Sequence, residues 1–224
     1  MRLGYLQASL LTKKMDLKLK NAVKGGNLTI CFQGFIPKGY KGKLDACAEI
    51  GALAATFDLL SDGLNFDQDA YKHFNTYCEE TLRPDSYKFL TNLLIAKREN
   101  TLRQHGLERG VYAIEIILRH LDVRSEWDKN LDVEKFGIRS QIADDLLDYE
   151  KDAKSNHLNF IKTRSAKDII QDYIDWDYEK DIQISAYPFI LSIVLRKSKE
   201  KAYQILRSRI TSSTIHKVKT SIVR

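Results

Sequence analysis

Four aspartates crowd the stretch Gly137 to Ile161, which reads GIRSQIADDLLDYEKDAKSNHLNFI: Asp144, Asp145, Asp148 and Asp152. On a helix, residues four apart lie one turn above each other, so Asp144, Asp148 and Asp152 are predicted to form a single acidic ridge. Ile142, Ala143, Leu146 and Leu147 lie between them. Such a helix is either an ordinary surface helix, its carboxylates paired with Lys151 and Lys154, or the wall of a metal site. Like charges stacked turn upon turn repel, and a cation between them relieves the repulsion. A second pair, Asp58 and Asp62, stands one turn apart in AATFDLLSDGLNFD. Near a helix C-terminus these carboxylates oppose the negative end of the dipole unless a cation helps. Two acidic rows at one end of a cavity would suit Mg²⁺, which binds through a few carboxylates together with substrate phosphates. They would hold a diphosphate and stabilise the charge on departing pyrophosphate.

The elements that must position these residues are predicted to be helical. Apolar and basic residues alternate at helical spacing over residues 1 to 24, and Gly25 and Gly26 are expected to stop that helix. Asn27 to Tyr40, broken by Gly34, Pro37 and Gly39, reads as a loop over the core rather than a short strand. A helix rich in small residues, with Gly51, Ala54 and Ala55, runs from Lys43 to about Leu60 and ends at Gly63. A further helix covers Asn65 to Thr81, and Pro84 opens another that continues to about His105. Tyr112 to Leu121 reads as buried, and Asp132 or a neighbour starts the acidic helix. Asp168 to Ile184 and Pro188 to Arg209 complete eight or nine helices, with the last fifteen residues expected to fray. The expected architecture is all-α, a single-domain helical bundle over residues 1–224.

Composition narrows the classes. The 224 residues suffice for one large domain, and 43% hydrophobic with 29% charged residues is ordinary for a globular protein. The net charge of +6 suits an anionic ligand, but no dense basic run marks a nucleic-acid arm, so no nucleic-acid partner is expected. No stretch of 18 apolar residues spans a membrane and no signal peptide opens the chain. Cys31, Cys47 and Cys78 lack metal or disulfide spacing and fit reduced thiols in the cytoplasm. The five histidines are scattered, with no HExxH.

Gln141 to Asp152, QIADDLLDYEKD, closely resembles the second aspartate-rich motif of the trans-isoprenyl diphosphate synthases. It also resembles the acidic triad of class I terpene cyclases, with Asp144, Asp148 and Asp152 in the three metal-ligand places. AEIGALAATFDLLSD looks like the first aspartate-rich helix of the same superfamily. The resemblance covers roughly residues 43 to 162. It implies the isoprenoid synthase fold with a central apolar cavity, an allylic prenyl diphosphate substrate and three Mg²⁺ ions. By the same resemblance Asp58, Asp62, Asp144, Asp148 and Asp152 would hold the metal, with Asp58, Asp144 and Asp148 catalytic. Relatives of this fold are usually homodimers.

The first motif departs from the pattern: Phe57 stands in the place of the leading aspartate and Ser61 in that of the third. The arginine pair that follows it in chain-elongating synthases is missing, as is the Gly-Lys after the second motif. Cyclisation, or prenyl transfer to an acceptor other than isopentenyl diphosphate, therefore fits better than elongation. Arginine forks suit diphosphate oxygens. Arg98 stands at the spacing terpene cyclases use, Arg103 and Arg109 are the other choices, and Lys151 adjoins the ridge. Gly51, Ala54 and Ala55 would leave room for a prenyl tail, with Phe57 and Gln141 beside it. Phe57, Phe74, Tyr77, Tyr112 and Phe136 are core residues or carbocation-facing rings. Two other functions stay open: a prenyl-lipid-binding homologue or regulatory subunit without catalysis, and a helical interaction protein.

Overall fold

A computed structural model describes residues 6, 10, 21–40, 42–61, 68–99, 106–155, 159–162 and 166–222. These residues form eleven α-helices and three short 3₁₀ turns; the only β pairing among them is an isolated bridge between Pro37 and Ser185. The all-α expectation holds. The helices are α1 (Asn21–Gln33), α2 (Leu44–Ser61), α3 (Gln68–Thr81), α4 (Pro84–Glu99), α5 (Glu108–His120) and α6 (Arg124–Asp128). They continue with α7 (Val133–Leu147), α8 (Tyr149–Ser155), α9 (Ala166–Asp175), α10 (Tyr178–Asp181) and α11 (Pro188–Ile222).

The first departure from the sequence reading is at Gly25 and Gly26, which lie inside α1 instead of stopping a helix. Residues 27 to 33, expected as loop, are helical too. The cause is tertiary. A Cβ on Gly51 would lie 2.4 Å from the Thr29 hydroxyl oxygen and 2.8 Å from the Gly25 carbonyl oxygen. The small residues of α1 and α2 thus let two backbones nearly touch, and the packing outweighs the helix-breaking cost of glycine, about 1 kcal/mol each. The chain does break at Gly34, and the Ala186 amide donates to the Ile36 carbonyl at 2.7 Å.

A second close approach joins α5 and α7. A Cβ on Gly110 would lie 2.1 Å from the Gly137 carbonyl oxygen, and one on Gly137 would lie 2.6 Å from the Val111 Cα. α5 buries Ile114, Ile117 and Leu118 at helical spacing, and Leu121 just beyond its end is fully buried. Each such side chain stabilises the fold by about 1.5–3 kcal/mol relative to an exposed one. Glu115 on the same helix is also buried, held by Arg119 Nε and Arg124 Nε at 2.8 Å each. α7 begins as expected: the Asp132 carboxylate caps it, accepting from the Lys135 amide at 3.0 Å.

The helix expected over 168–184 is broken at Trp176. The ammonium of Lys199, on α11, donates to the carbonyls of Ile174 and Trp176 and caps the end of α9. An aromatic group fills the adjoining core: Phe136 meets Phe35, Trp127 and Trp176 with ring centroids 5.6–6.2 Å apart. The Trp127 indole donates to the Phe35 carbonyl at 2.9 Å. α11 continues as helix to Ile222, through residues expected to fray. Among the described residues no helix is long and apolar enough to cross a membrane.

Gly110→Ala and Gly137→Ala are each expected to lose about 1–3 kcal/mol, because the added methyl meets backbone that cannot move aside. Gly39→Ala, with nothing within 4 Å of its Cβ, serves as the neutral control. Thermal denaturation followed by circular dichroism checks this; equal melting temperatures for Gly110→Ala and Gly39→Ala would contradict the close approach.

Candidate functional site

The α5–α7 contact is tight on one side and leaves a cavity of about 490 Å³ on the other. Its walls are apolar: Leu28 and Phe32 from α1, Ala54 and Phe57 from α2, Leu93 from α4, Ile114 and Ile117 from α5, Phe136 from α7, and Leu191 and Leu195 from α11. Its polar lining comes from the start of α5, the C-terminal half of α7 and α8, together with Lys24. Arg109, Ser140, Gln141, Asp144, Asp145, Asp148, Lys151 and Asp152 gather there. Asp144 and Lys151 are exposed, so this end reaches solvent.

The predicted ridge is interrupted at one residue: the amides of Asp148 and Asp152 still donate to the carbonyls of Asp144 and Asp148 at 3.0 and 2.9 Å, and all three aspartates line the cavity. α7 stops at Leu147, with Asp148 as its C-cap at φ −90° and ψ 2°, and α8 resumes at Tyr149. Asp144 is exposed; Gln141 Nε2 approaches its Oδ2 at 3.4 Å. Asp148 is partly exposed and forms an ion pair with Lys151 at 3.3 Å. Asp152 is buried and accepts from Asn159 Nδ2 at 2.8 Å.

Asp145, not part of the predicted ridge, is the most buried carboxylate of the group. Its Oδ1 accepts from Gln141 Nε2 at 2.9 Å and its Oδ2 from the Phe160 amide at 2.8 Å. The Arg109 guanidinium lies 3.8 Å from Oδ1 and donates through Nε to the Gly106 carbonyl at 3.0 Å. Burial pushes the Asp145 carboxyl above its ordinary range, opposed by the Gln141 and Phe160 donors and by Arg109. One signal for this residue stands in the sequence: Asp145 is three residues after Ile142 and one before Leu146, on the apolar face. Asn159 carries no comparable signal.

Ala54, Phe57 and Gln141 line the cavity with Asp144, Asp148, Lys151 and Asp152. Gly51 faces α1 at Thr29, and Ala55 is fully buried in the core. Asp62 and Arg103 lie outside the described residues, as do the side chains of Asp58 and Arg98, whose backbones belong to α2 and α4. Among the described residues no group of three or more His, Cys, Asp or Glu side chains is arranged to hold a metal ion. Of the three free thiols, Cys31 is partly exposed in the cavity wall, while Cys47 and Cys78 are buried. Burial pushes the Cys47 thiol up to about 12 and that of Cys78 further still.

No protein-family model matches the chain, nor does any curated protein or solved structure.

Asp145→Ala leaves the Gln141 and Phe160 donors without their acceptor and is expected to cost about 1–3 kcal/mol for each group left unsatisfied. Urea denaturation measures this, and an unchanged midpoint would contradict the buried contacts. Native-state labelling with a thiol reagent is expected to modify Cys31 first, and Cys47 and Cys78 only on unfolding. Mass spectrometry of the labelled peptides reads the order.

Proposed function

We propose that this chain is a Mg²⁺-dependent class I isoprenoid enzyme that binds an allylic prenyl diphosphate and releases pyrophosphate. It would act as a terpene synthase or as a prenyltransferase to an acceptor other than isopentenyl diphosphate. The observation that supports this most is the cavity itself, apolar along its walls and lined at one end by Arg109, Gln141, Asp144, Asp148 and Lys151. A hydrocarbon chain suits the walls, and its anionic head suits the polar end.

The donors at that end fit Mg²⁺ in kind. Asp144 and Asp148 offer hard carboxylate oxygens one helical turn apart, both reached by solvent. These two would hold the ion, with Asp58 and Asp62 the sequence-based candidates from α2. Bound Mg²⁺ supplies positive charge to the diphosphate oxygens as the leaving group departs.

The protein's own groups have separate tasks. Arg109 keeps its guanidinium at the polar end, about a fifth exposed, and offers donors to the diphosphate. Lys151 adds a second positive charge beside Asp148. The apolar walls exclude water from the allylic carbon, so a cation formed there is not quenched at once. Phe32, Phe57 and Phe136 bring aromatic rings to the same space, where ring faces favour positive charge.

A second reading rests on the engaged carboxylates. Asp145 and Asp152 already accept hydrogen bonds from within the protein, as a prenyl-lipid-binding homologue without catalysis would allow. Pyrophosphate release from geranyl, farnesyl and geranylgeranyl diphosphates, with and without Mg²⁺, separates the two. Enzymatic function predicts Mg²⁺-dependent release that falls by about 10²-fold or more in Asp144→Ala and Asp58→Ala. No release from any chain length, with or without candidate acceptors, contradicts it. In that case, prenyl diphosphate protecting Cys31 from thiol labelling without Mg²⁺ supports the binding protein.

A further inference from the structure

The apolar part of the cavity has a finite depth. On α5, Ile117 stands eight residues beyond Arg109, and on α7, Phe136 stands eight before Asp144; all four line the space. At about 1.5 Å of rise per residue, each wall runs about 12 Å from the polar end. Carbon–carbon bonds of about 1.5 Å advance an extended zigzag by roughly 1.25 Å each, so such a wall accommodates about ten main-chain bonds. The volume agrees. At roughly 30 Å³ per non-hydrogen atom, the share of a water molecule in the liquid, a cavity of about 490 Å³ holds about sixteen atoms. Both measures fall close to a chain of three isoprene units and short of four.

Phe136 closes the far end of the α7 wall. It is buried, and its ring meets that of Phe35, also in the lining, edge-on with centroids 6.2 Å apart. Behind it stand Trp127 and Trp176, with centroids 5.8 and 5.6 Å away, and neither lines the cavity. Trp127 is itself fixed, its indole donating to the Phe35 carbonyl at 2.9 Å. A ring braced by three other rings does not swing aside, because a close-packed interior has no void to receive it. Nearer the mouth the lining is small instead: Ala113, half-buried, lies one turn beyond Arg109.

We propose that Phe136, backed by Phe35 and the two tryptophans, sets the length of hydrocarbon chain that this cavity admits, with a limit at about fifteen carbons. The assignment rests on the reading of the cavity as a prenyl diphosphate site, and it names the prenyl chains taken: ten and fifteen carbons, not twenty. Each carbon within the limit leaves water for the apolar walls. Each carbon beyond it stays in solvent or pulls the anionic head away from Arg109.

The test is calorimetric binding of S-prenyl thiolodiphosphates of five, ten, fifteen and twenty carbons to the full chain with Mg²⁺ present. Their carbon–sulfur bond resists ionisation, so binding is read without turnover. Affinity is expected to rise by about tenfold or more from ten to fifteen carbons and not to rise from fifteen to twenty. Phe136→Ala removes a ring about the size of one isoprene unit, and is expected to tighten binding of the twenty-carbon analogue by about tenfold, with the five-carbon analogue within about twofold of the wild type. Ala113→Phe decides the matter where loss of the buried ring unfolds the chain. It fills space instead of emptying it, and is expected to weaken the fifteen-carbon analogue by about tenfold while sparing the five-carbon one. Tighter binding of twenty carbons than of fifteen by the wild type would overturn the limit. So would a folded Phe136→Ala protein whose limit stays at fifteen carbons or that weakens every length alike, or an Ala113→Phe protein that binds all four as the wild type does. The expected length profile without pyrophosphate release from the natural diphosphates overturns the catalytic reading alone. Release that is as efficient with twenty carbons as with fifteen overturns the length limit alone, and no binding at any length overturns both.

Discussion

The near-contact of Gly110 and Gly137 governs the geometry of the polar end. With a Cβ on Gly110 only 2.1 Å from the Gly137 carbonyl oxygen, no other residue pair permits this crossing without moving the helices apart. Arg109 precedes one glycine, and Gln141 and Asp145 lie one and two turns beyond the other. The crossing therefore brings a guanidinium, an amide and a carboxylate into one place, and the Arg109–Asp145 distance of 3.8 Å follows from it. Side chains too large for the crossing would widen it and loosen all three together.

The second constraint is the cost of burying Asp145. A buried carboxylate is tolerated only with donors around it, and here they come from Gln141, four residues upstream, and from Phe160 in a separate segment. One demand thereby ties the segment 159–162 to the end of α7. Asn159 then completes what the break in the helix leaves open, taking up the Asp145 carbonyl. No glycine or proline occurs between Ile138 and Ile161, and the interruption of the helix at Asp148 falls where this polar network fastens the chain.

This explains what the sequence made legible and what it hid. Helix starts with local causes were readable: Pro84 opens α4, and Asp132 caps α7 through its own carboxylate. The acidic stretch and Ala54 stand out by residue type, Gln141 and Phe57 by the motif resemblance, and they line one cavity. Gly25 and Gly26 misled because the signal they carry is local while the packing against Gly51 is not. The Lys199 ammonium that caps the break at Trp176 comes from over twenty residues away, and the donor to buried Asp152 is Asn159, in a separate segment. Spacing rules see one helix at a time, so caps supplied from a distant segment leave no periodic trace. Arg109, one of the three arginines the sequence offers, reaches the polar end beside the Gly110 crossing, which no charge pattern reveals.

The inward turn of two carboxylates also changes the electrostatics an anion would meet. Asp145 lies beside Arg109, and Asp148 beside Lys151, so each cation at the polar end already has an acidic neighbour. A diphosphate arriving there would face carboxylates as well as cations, and direct attraction to Arg109 and Lys151 would be largely offset. A divalent cation between Asp144 and Asp148, as proposed above, would reverse that balance, because it would neutralise both carboxylates and leave the two basic side chains for the phosphate oxygens. Under the proposed function, metal and diphosphate would therefore bind together rather than in sequence, each removing the repulsion that opposes the other. The apolar cavity behind them would strengthen that coupling, since charges at the edge of a low-dielectric space are screened less than charges in open water.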